Sequence, residues 1–437
     1  MATINLEAFP IPEDVTCPKC NNIITLYDPE GSEYCVCLSC NSFIRFKAHD
    51  KPIIQKSAPA INQQPVLKLG SIGLINGYDF RVIGYIEKKE EDSHYAWREY
   101  ILYNYAKGYA NFAEYDGHWT FVAGKEFYPA LVNLKDRSWK FLDYEGHEYN
   151  LFNKYTAVTT ALLGEFDWDI LFETAKTSEF VSPPNIIYKE QDKPGTSTAD
   201  FYLGQYIEPA EIAEAFKTDI NLFPERIGIG ANQPSKYAKR WFSVYEITPL
   251  LIILVAVLGF AASFIKPESR VMDSDFLIVS DSTKVNEFKP FITHSFELND
   301  RSSAVDFSIR SDIDNNWLEA TVVLVNEKDN QSWEVTESIE YYHGYEGGES
   351  WTEGSREANI LLSSIPNGKY HLNIYPASGD INDKYIHINV TVNPVVWRNV
   401  LITILLLCLY PLFAWYRMRE YEKRRWMNSD FSPFYAG

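Results

Sequence analysis

Two stretches of the chain lose the alternation of apolar and polar positions that marks the rest. One, from Ile247 to Ile265, reads ITPLLIILVAVLGFAASFI; the other, from Val395 to Trp415, reads VVWRNVLITILLLCLYPLFAW. Each comes close to the ~20 apolar residues with which a helix crosses a ~30 Å hydrocarbon core. A helix packed in a soluble core keeps a polar stripe, and neither Leu250–Ala262 nor Leu401–Leu409 has one. The pattern predicts transmembrane helices over 246–265 and 395–416.

Between them, residues 267–393 alternate with the period of two expected of strands. Examples are Ala304–Ile309, Leu318–Val325, Tyr370–Ile374 and Tyr385–Thr391, separated by polar turns such as Asp312–Asn316 and Pro366-Asn-Gly368. About seven short strands predict an immunoglobulin-like or jelly-roll β-sandwich. One loop, Ile339–Gly354, mixes Tyr341, Tyr342, Tyr345 and Trp351 with glycines and acids. It reads either as a long hairpin on the sandwich edge or as a surface for sugars, peptides or calcium.

Residues 66–223 also read as strands. Asn76-Gly77, Asp116-Gly117 and Glu145-Gly146 are turn pairs between aromatic and β-branched runs. Pro209–Phe216 is the one helix expected there, with acidic residues early in it. Residues 47–65, rich in Pro, Gln, Ala and Lys, read as a linker.

Charge sets the orientation. Lys236, Lys239 and Arg240 precede the first span, and Arg417, Arg419, Lys423, Arg424 and Arg425 follow the second; Lys266, Arg270 and Arg398 flank the segment between them. The positive-inside bias predicts a multi-pass inner-membrane protein with both termini cytoplasmic and 267–393 extracytoplasmic. The stretch MATINLEAFPIPEDV has neither a basic n-region nor an apolar h-region. No signal peptide is expected, and the first span serves as the insertion signal. The tail, 417–437, reads as a basic cytoplasmic segment against anionic lipid headgroups. A net charge of −19 over 437 residues argues against nucleic acid as a partner.

Five of the six cysteines lie between positions 17 and 40. Cys17-x-x-Cys20 and Cys37-x-x-Cys40 flank a short hairpin, the spacing of a zinc ribbon over residues 1–46. Cys17, Cys20, Cys37 and Cys40 are the expected ligands of a structural Zn2+. Cys35 sits on the same strand face as Cys37 and is either a substitute ligand or an extra thiol. A disulfide or redox pair is the rival reading, which a cytoplasmic location disfavours. Four thiolates leave no open position for catalysis at the metal.

The middle region resembles the DUF4178 family, a bacterial domain of unknown function. The residues that carry the resemblance are Gly70-x-x-Gly73, Tyr78-Asp-Phe80, Gly84, Trp97-Arg98-Glu99-Tyr100, Asp116-Gly-His-Trp119, Gly164-Glu165-Phe166-x-Trp168, Ser182-Pro183-Pro184 and Gly204-Gln-Tyr206. Asn111-Phe112 departs from the Trp-Leu pair expected there. The resemblance implies a β-rich fold, no established activity and an association with envelope-stress and polyamine-related genes. Arg98, Glu99, Glu114, Asp116, His118, Glu165 and Asp167 are the charged candidates for chemistry in this region. No nucleophile elbow, zinc-protease, P-loop or dinucleotide fingerprint accompanies them. No catalytic residue and no bound cofactor besides zinc is expected. The leading expectation is a membrane-anchored binding or scaffold protein that touches lipid and cytoplasmic protein partners. The alternative is a hydrolase or transferase component with its site in 66–223.

Overall fold

The computed structural model describes residues 9–47, 51–124, 140–171, 174–191, 199–281, 287–380, 382, 384–395 and 397–434. It is mainly β, as the period-two patterning predicts: 51% strand and 19% helix. The chain divides into two compact units, Met1–Val244 with Leu412–Gly437, and Tyr245–Pro411.

The first unit begins with short strands: β1 (Glu13–Thr16), β2 (Ile23–Leu26), β3 (Tyr34–Val36), β4 (Ser42–Arg45) and β5 (Ile53–Ser57). β5 lies within the segment expected to be linker, where it pairs with β4 and extends the ribbon sheet. Next come β6 (Ile72–Ile75), β7 (Tyr78–Glu90), β8 (Ala96–Asn104), β9 (Gly108–Tyr115), β10 (His118–Ala123), β11 (Phe141–Tyr144), β12 (His147–Phe166), β13 (Ala175–Ser182), β14 (Asn185–Gln191) and β15 (Asp200–Ile207). The sequence Trp139–Tyr144 also reads as a strand, and its first residue lies outside the described residues. Helix α1 (Pro209–Phe216) follows, with Pro209 in its first turn, and ends at Lys217 in the left-handed conformation.

β12 organises this unit. Its 20 residues pair with β13 over Asn150–Ala157, with β7 over Ala157–Gly164, and with β3 at Glu165 and Phe166. The β12–β7 pairing closes the antiparallel path β12-β13-β14-β15-β10-β9-β8-β7 into an eight-stranded barrel. Gly164 is required at the closure: its φ is +92°, and a Cβ there would lie 2.1 Å from Ile83 O.

Alternate residues of the barrel strands face opposite ways. Phe80, Val82, Tyr100, Leu102, Phe112, Trp119 and Phe121 pack on the outside against Ile212 and Phe216 of α1. The barrel is thus an inside-out core, with its main apolar layer under the helix and the residues between left to line the interior.

Among the described residues, two helices, α2 (Lys236–Ile265) and α3 (Trp397–Arg425), are long and apolar enough to cross a membrane. Their apolar side chains, such as Leu250, Val257, Leu401 and Leu405, are exposed all along, as lipid-facing positions are. Gly259 lets the helices approach, since a Cβ there would meet Val400 at 3.0 Å.

The second unit also holds β16 (Ser269–Ile278), β17 (Phe291–Ile292), β18 (Phe296–Ser311), β19 (Asn316–Asn326), β20 (Ser332–Glu346), β21 (Glu349–Ser355), β22 (Glu357–Ser378) and β23 (Lys384–Val392). Their order is β16-β23-β18-β22-β19-β20-β21, with β17 on β22. β22 pairs with β18 up to Tyr370 and with β19 from there on, so one long strand changes partners and the sheet curves as a half-barrel over a single core. Val305, Phe307, Ile309, Val322, Leu324, Leu372, Ile374, Ile388 and Val390 fill that core at period two. The aromatic loop is the β20–β21 hairpin at the sheet edge, with Tyr345 and Trp351 exposed.

Candidate ligand lumen and metal centre

The Cys-x-x-Cys pairs stand at the β1–β2 and β3–β4 turns and converge. Sγ of Cys17 lies 3.7 Å from that of Cys40, and Sγ of Cys20 lies 3.5 Å from that of Cys37. All four sulfurs fall within 4.8 Å of one another. Tetrahedral coordination at a ~2.3 Å metal–sulfur distance puts sulfurs about 3.8 Å apart, so the cluster fits a bound metal. Cys35 is outside it. It is fully buried on β3 opposite Ile44 and Glu165, and burial, with the Glu165 charge next, pushes its thiol up to about 12. The strand-face argument left Cys35 open as a ligand; the bend after β3 turns Cys37 toward the cluster and leaves Cys35 behind.

Glu165 ties the ribbon to the barrel. It is buried at the end of β12, and its carboxylate accepts from the backbone N–H of Tyr27 at 2.6 Å and of Asp28 at 3.2 Å. Burial still outweighs these bonds and pushes its carboxyl up to about 7. Asp28 in turn accepts from Tyr109 Oη at 2.5 Å.

The barrel encloses a lumen of about 920 Å³, the size range of small-molecule sites. Its lining mixes polar and aromatic side chains with aliphatic ones such as Ile101, Val122 and Ile186. Lys88 Nζ lies 3.0 Å from Glu99 Oε2, and Trp97 Nε1 donates to Glu99 Oε1 at 2.8 Å. The Trp97 ring meets Tyr155 edge-on at 5.3 Å, and Tyr155 Oη donates to Glu179 Oε1 at 2.8 Å. Burial pushes the Glu179 carboxyl up to about 7 and holds the Tyr155 and Tyr188 phenols well above their usual range. Thr120 Oγ1 donates to Asn232 Oδ1 at 3.2 Å. Five glutamates, Glu90, Glu99, Glu114, Glu179 and Glu190, line the space with Lys88 and Lys154.

The charged candidates read from the sequence therefore separate. Glu99, Glu114, Asp116, His118 and Asp167 line the lumen, whereas Arg98 and Glu165 do not. Arg98 and Glu114 pair with each other, and Glu114 also accepts from Gly117 N at 2.7 Å. His118 is buried. Its Nε2 donates to Ile227 O at 3.2 Å, and its Nδ1 stands 3.2 Å from the Tyr206 hydroxyl. Burial lowers its pKa and favours the neutral ring. Asp116 sits in the β9–β10 turn, where its carbonyl accepts from Ile227 N. Tyr155, Glu179 and Tyr188 escaped the sequence reading. Their only signal was alternation along strands whose polar face looked solvent-directed.

No curated protein matches the chain. Among solved structures, that of infectious bursal disease virus Gt strain is 11% identical, over 80% of this chain and 62% of that chain, with a TM-score of 0.18. The infectious bursal disease virus VP2 subviral particle is 10% identical over 83% and 65%, with a TM-score of 0.19. PNGF-II is 8% identical over 71% and 66%, with a TM-score of 0.18. The chain thus covers less than two thirds of the first of these. Superpositions this poor carry nothing about activity. Residues 68–209 match the model of a domain of unknown function, DUF4178. That range contains all eight strands of the barrel, so the barrel is the chain's DUF4178 domain, while the lumen lining also draws on residues beyond it, among them Asn232 and Ser429.

Proposed function

We propose that this is a non-enzymatic, membrane-anchored binding protein whose DUF4178 barrel takes a small polar ligand into its lumen. The observation that carries the reading is the closed barrel around about 920 Å³ lined with hydrogen-bonding side chains. A barrel of eight strands is wide enough to hold one small ligand. Glutamates outnumber lysines along the lining, and Trp97, Tyr155 and Tyr188 offer aromatic faces. Both features suit a ligand with a cationic group. In this reading the four cysteines hold a structural Zn2+ that folds the ribbon. The two helices span the inner membrane with both termini cytoplasmic, and the half-barrel stands outside. In the same reading the protein links that outer domain to cytoplasmic partners and acts in envelope stress.

The test is denaturing release of small molecules from the full chain purified in mild detergent, followed by titration of the released compound. A stoichiometric amine-bearing compound that binds the native chain and is lost in Trp97→Ala and Glu179→Gln supports the reading. Empty protein, or binding unchanged in both variants, removes it.

One observation favours a second reading. A carboxyl near 7 beside a tyrosine has the protonation behaviour of a general acid–base group. Turnover of the released compound, abolished in Glu179→Gln, would make the domain an enzyme component.

A further inference from the structure

The lumen is not walled by strands alone. At one end its lining includes Ile227 and Ile229–Asn232, which lead into α2, and Met427–Asp430, which leave α3. The two segments are fastened to each other and to the barrel. Arg425, 1% exposed, donates from Nη1 to Gly230 O at 3.0 Å and to Ala231 O at 2.8 Å, while Glu422 braces the same guanidinium at 2.9 Å. Trp426 packs on Phe152 with ring centres 5.1 Å apart, within a buried cluster that includes Val181 and Ile186. Ser429 Oγ donates to Phe152 O at 2.5 Å, and Asp430 N donates to Asn153 Oδ1 at 3.3 Å. On the other segment, Asn232 Nδ2 donates to Pro184 O at 3.2 Å while its Oδ1 accepts from Thr120 in the lumen. Gly230 packs so close to the His118 ring that a Cβ would lie 2.8 Å from it.

A basic tail with no role beyond membrane charge has no reason to bury an arginine in the protein. Arg425 serves a different need: two backbone carbonyls at the end of an irregular segment require donors, and a guanidinium supplies a fork of them.

We propose that residues 427–430, held by Arg425 and Ser429, form a strap that completes the ligand site and controls entry at this end of the barrel. The strap continues α3, and its anchor on 230–231 leads into α2. A ligand that binds better with the strap seated tightens it by its differential affinity for the two states. This inference rests on the lumen being a ligand site.

The test uses the full chain in mild detergent with a reporter thiol placed in the lumen, Thr177→Cys. The probes are a cationic and an anionic methanethiosulfonate reagent, with modification at that position read by mass spectrometry against the parent chain. With the strap seated, reaction is slow. Arg425→Ala removes charge-assisted bonds and should speed labelling by roughly tenfold. Ser429→Ala removes a single hydrogen bond and should speed it by about threefold. Arg425→Lys should fall between the parent and Arg425→Ala. Circular dichroism and metal content confirm folding, and Ser429→Ala stands in if Arg425→Ala fails to fold. Equal rates in the parent and a folded strap variant overturn the strap, as does a reporter that stays unreactive in all of them. Failure of the ligand reading registers elsewhere, as empty protein in the release experiment.

Discussion

Tyr155 on β12 donates its hydroxyl to Glu179 on the neighbouring strand β13 across 2.8 Å, inside the barrel lumen. The bond alone would stabilise the charged carboxylate, yet burial dominates and the carboxyl is pushed from the ordinary 4.5 to about 7. Glu165 at the ribbon junction moves in the same direction for the same leading reason.

Both carboxyls hold their proton more tightly folded than unfolded. Between about pH 4.5 and 7 these two carboxyls bind more protons in the native state than in the unfolded one, so their contribution to stability falls as pH rises through that window. Melting temperatures at pH 5, 6, 7 and 8 should show the fall, and Glu179→Gln should flatten it by removing one of the two groups. An unchanged slope in Glu179→Gln would show that the lumen leaves this carboxyl hydrated.

Metal content separates the cysteines. Cys17→Ser or Cys37→Ser should lose the metal and unfold the ribbon, whereas Cys35→Ser should keep one metal per chain. Burying a hydroxyl in place of the Cys35 thiol costs about 1–3 kcal/mol. Elemental analysis and melting of the purified variants check both halves; loss of metal in Cys35→Ser would place that thiol among the ligands.

Glu165→Ala should loosen the ribbon from the barrel. It strips the acceptor from two buried backbone N–H groups, at about 1–3 kcal/mol for buried donors left unsatisfied. Limited proteolysis should then cut between ribbon and barrel sooner than in the parent. An unaltered cleavage rate would mean that the β12–β3 pairing alone holds the junction.

Topology is open to a direct check. Ser350→Cys on β21 should react with a membrane-impermeant maleimide in intact spheroplasts. Asp92→Cys, in the β7–β8 turn, should react only after the membrane is opened. The reverse pattern would invert the orientation drawn from the basic residues.

How much of this was legible in the chain follows from the range of the forces involved. The two long apolar helices, the Cys-x-x-Cys pairs, the Asn76-Gly77 hairpin and helix α1 depend on neighbours in sequence, so the sequence by itself determined them. The β-rich character of both soluble regions was equally local, written in alternation at period two.

Closure of the barrel was not local. It joins Ala157–Gly164 to Gly84–Glu90, about seventy residues away, and no periodicity marks which strand β12 meets. Closure also changed the meaning of the pattern. Glu99, Tyr155 and Glu179 look like solvent-facing positions in the sequence, because alternation gives side without saying what fills it. Only the tertiary structure decided that this side is an enclosed lumen. It also turned Cys35 away from the thiol cluster and buried Arg425 against Gly230 and Ala231. An arginine reads as surface until a distant pair of carbonyls takes up its donors.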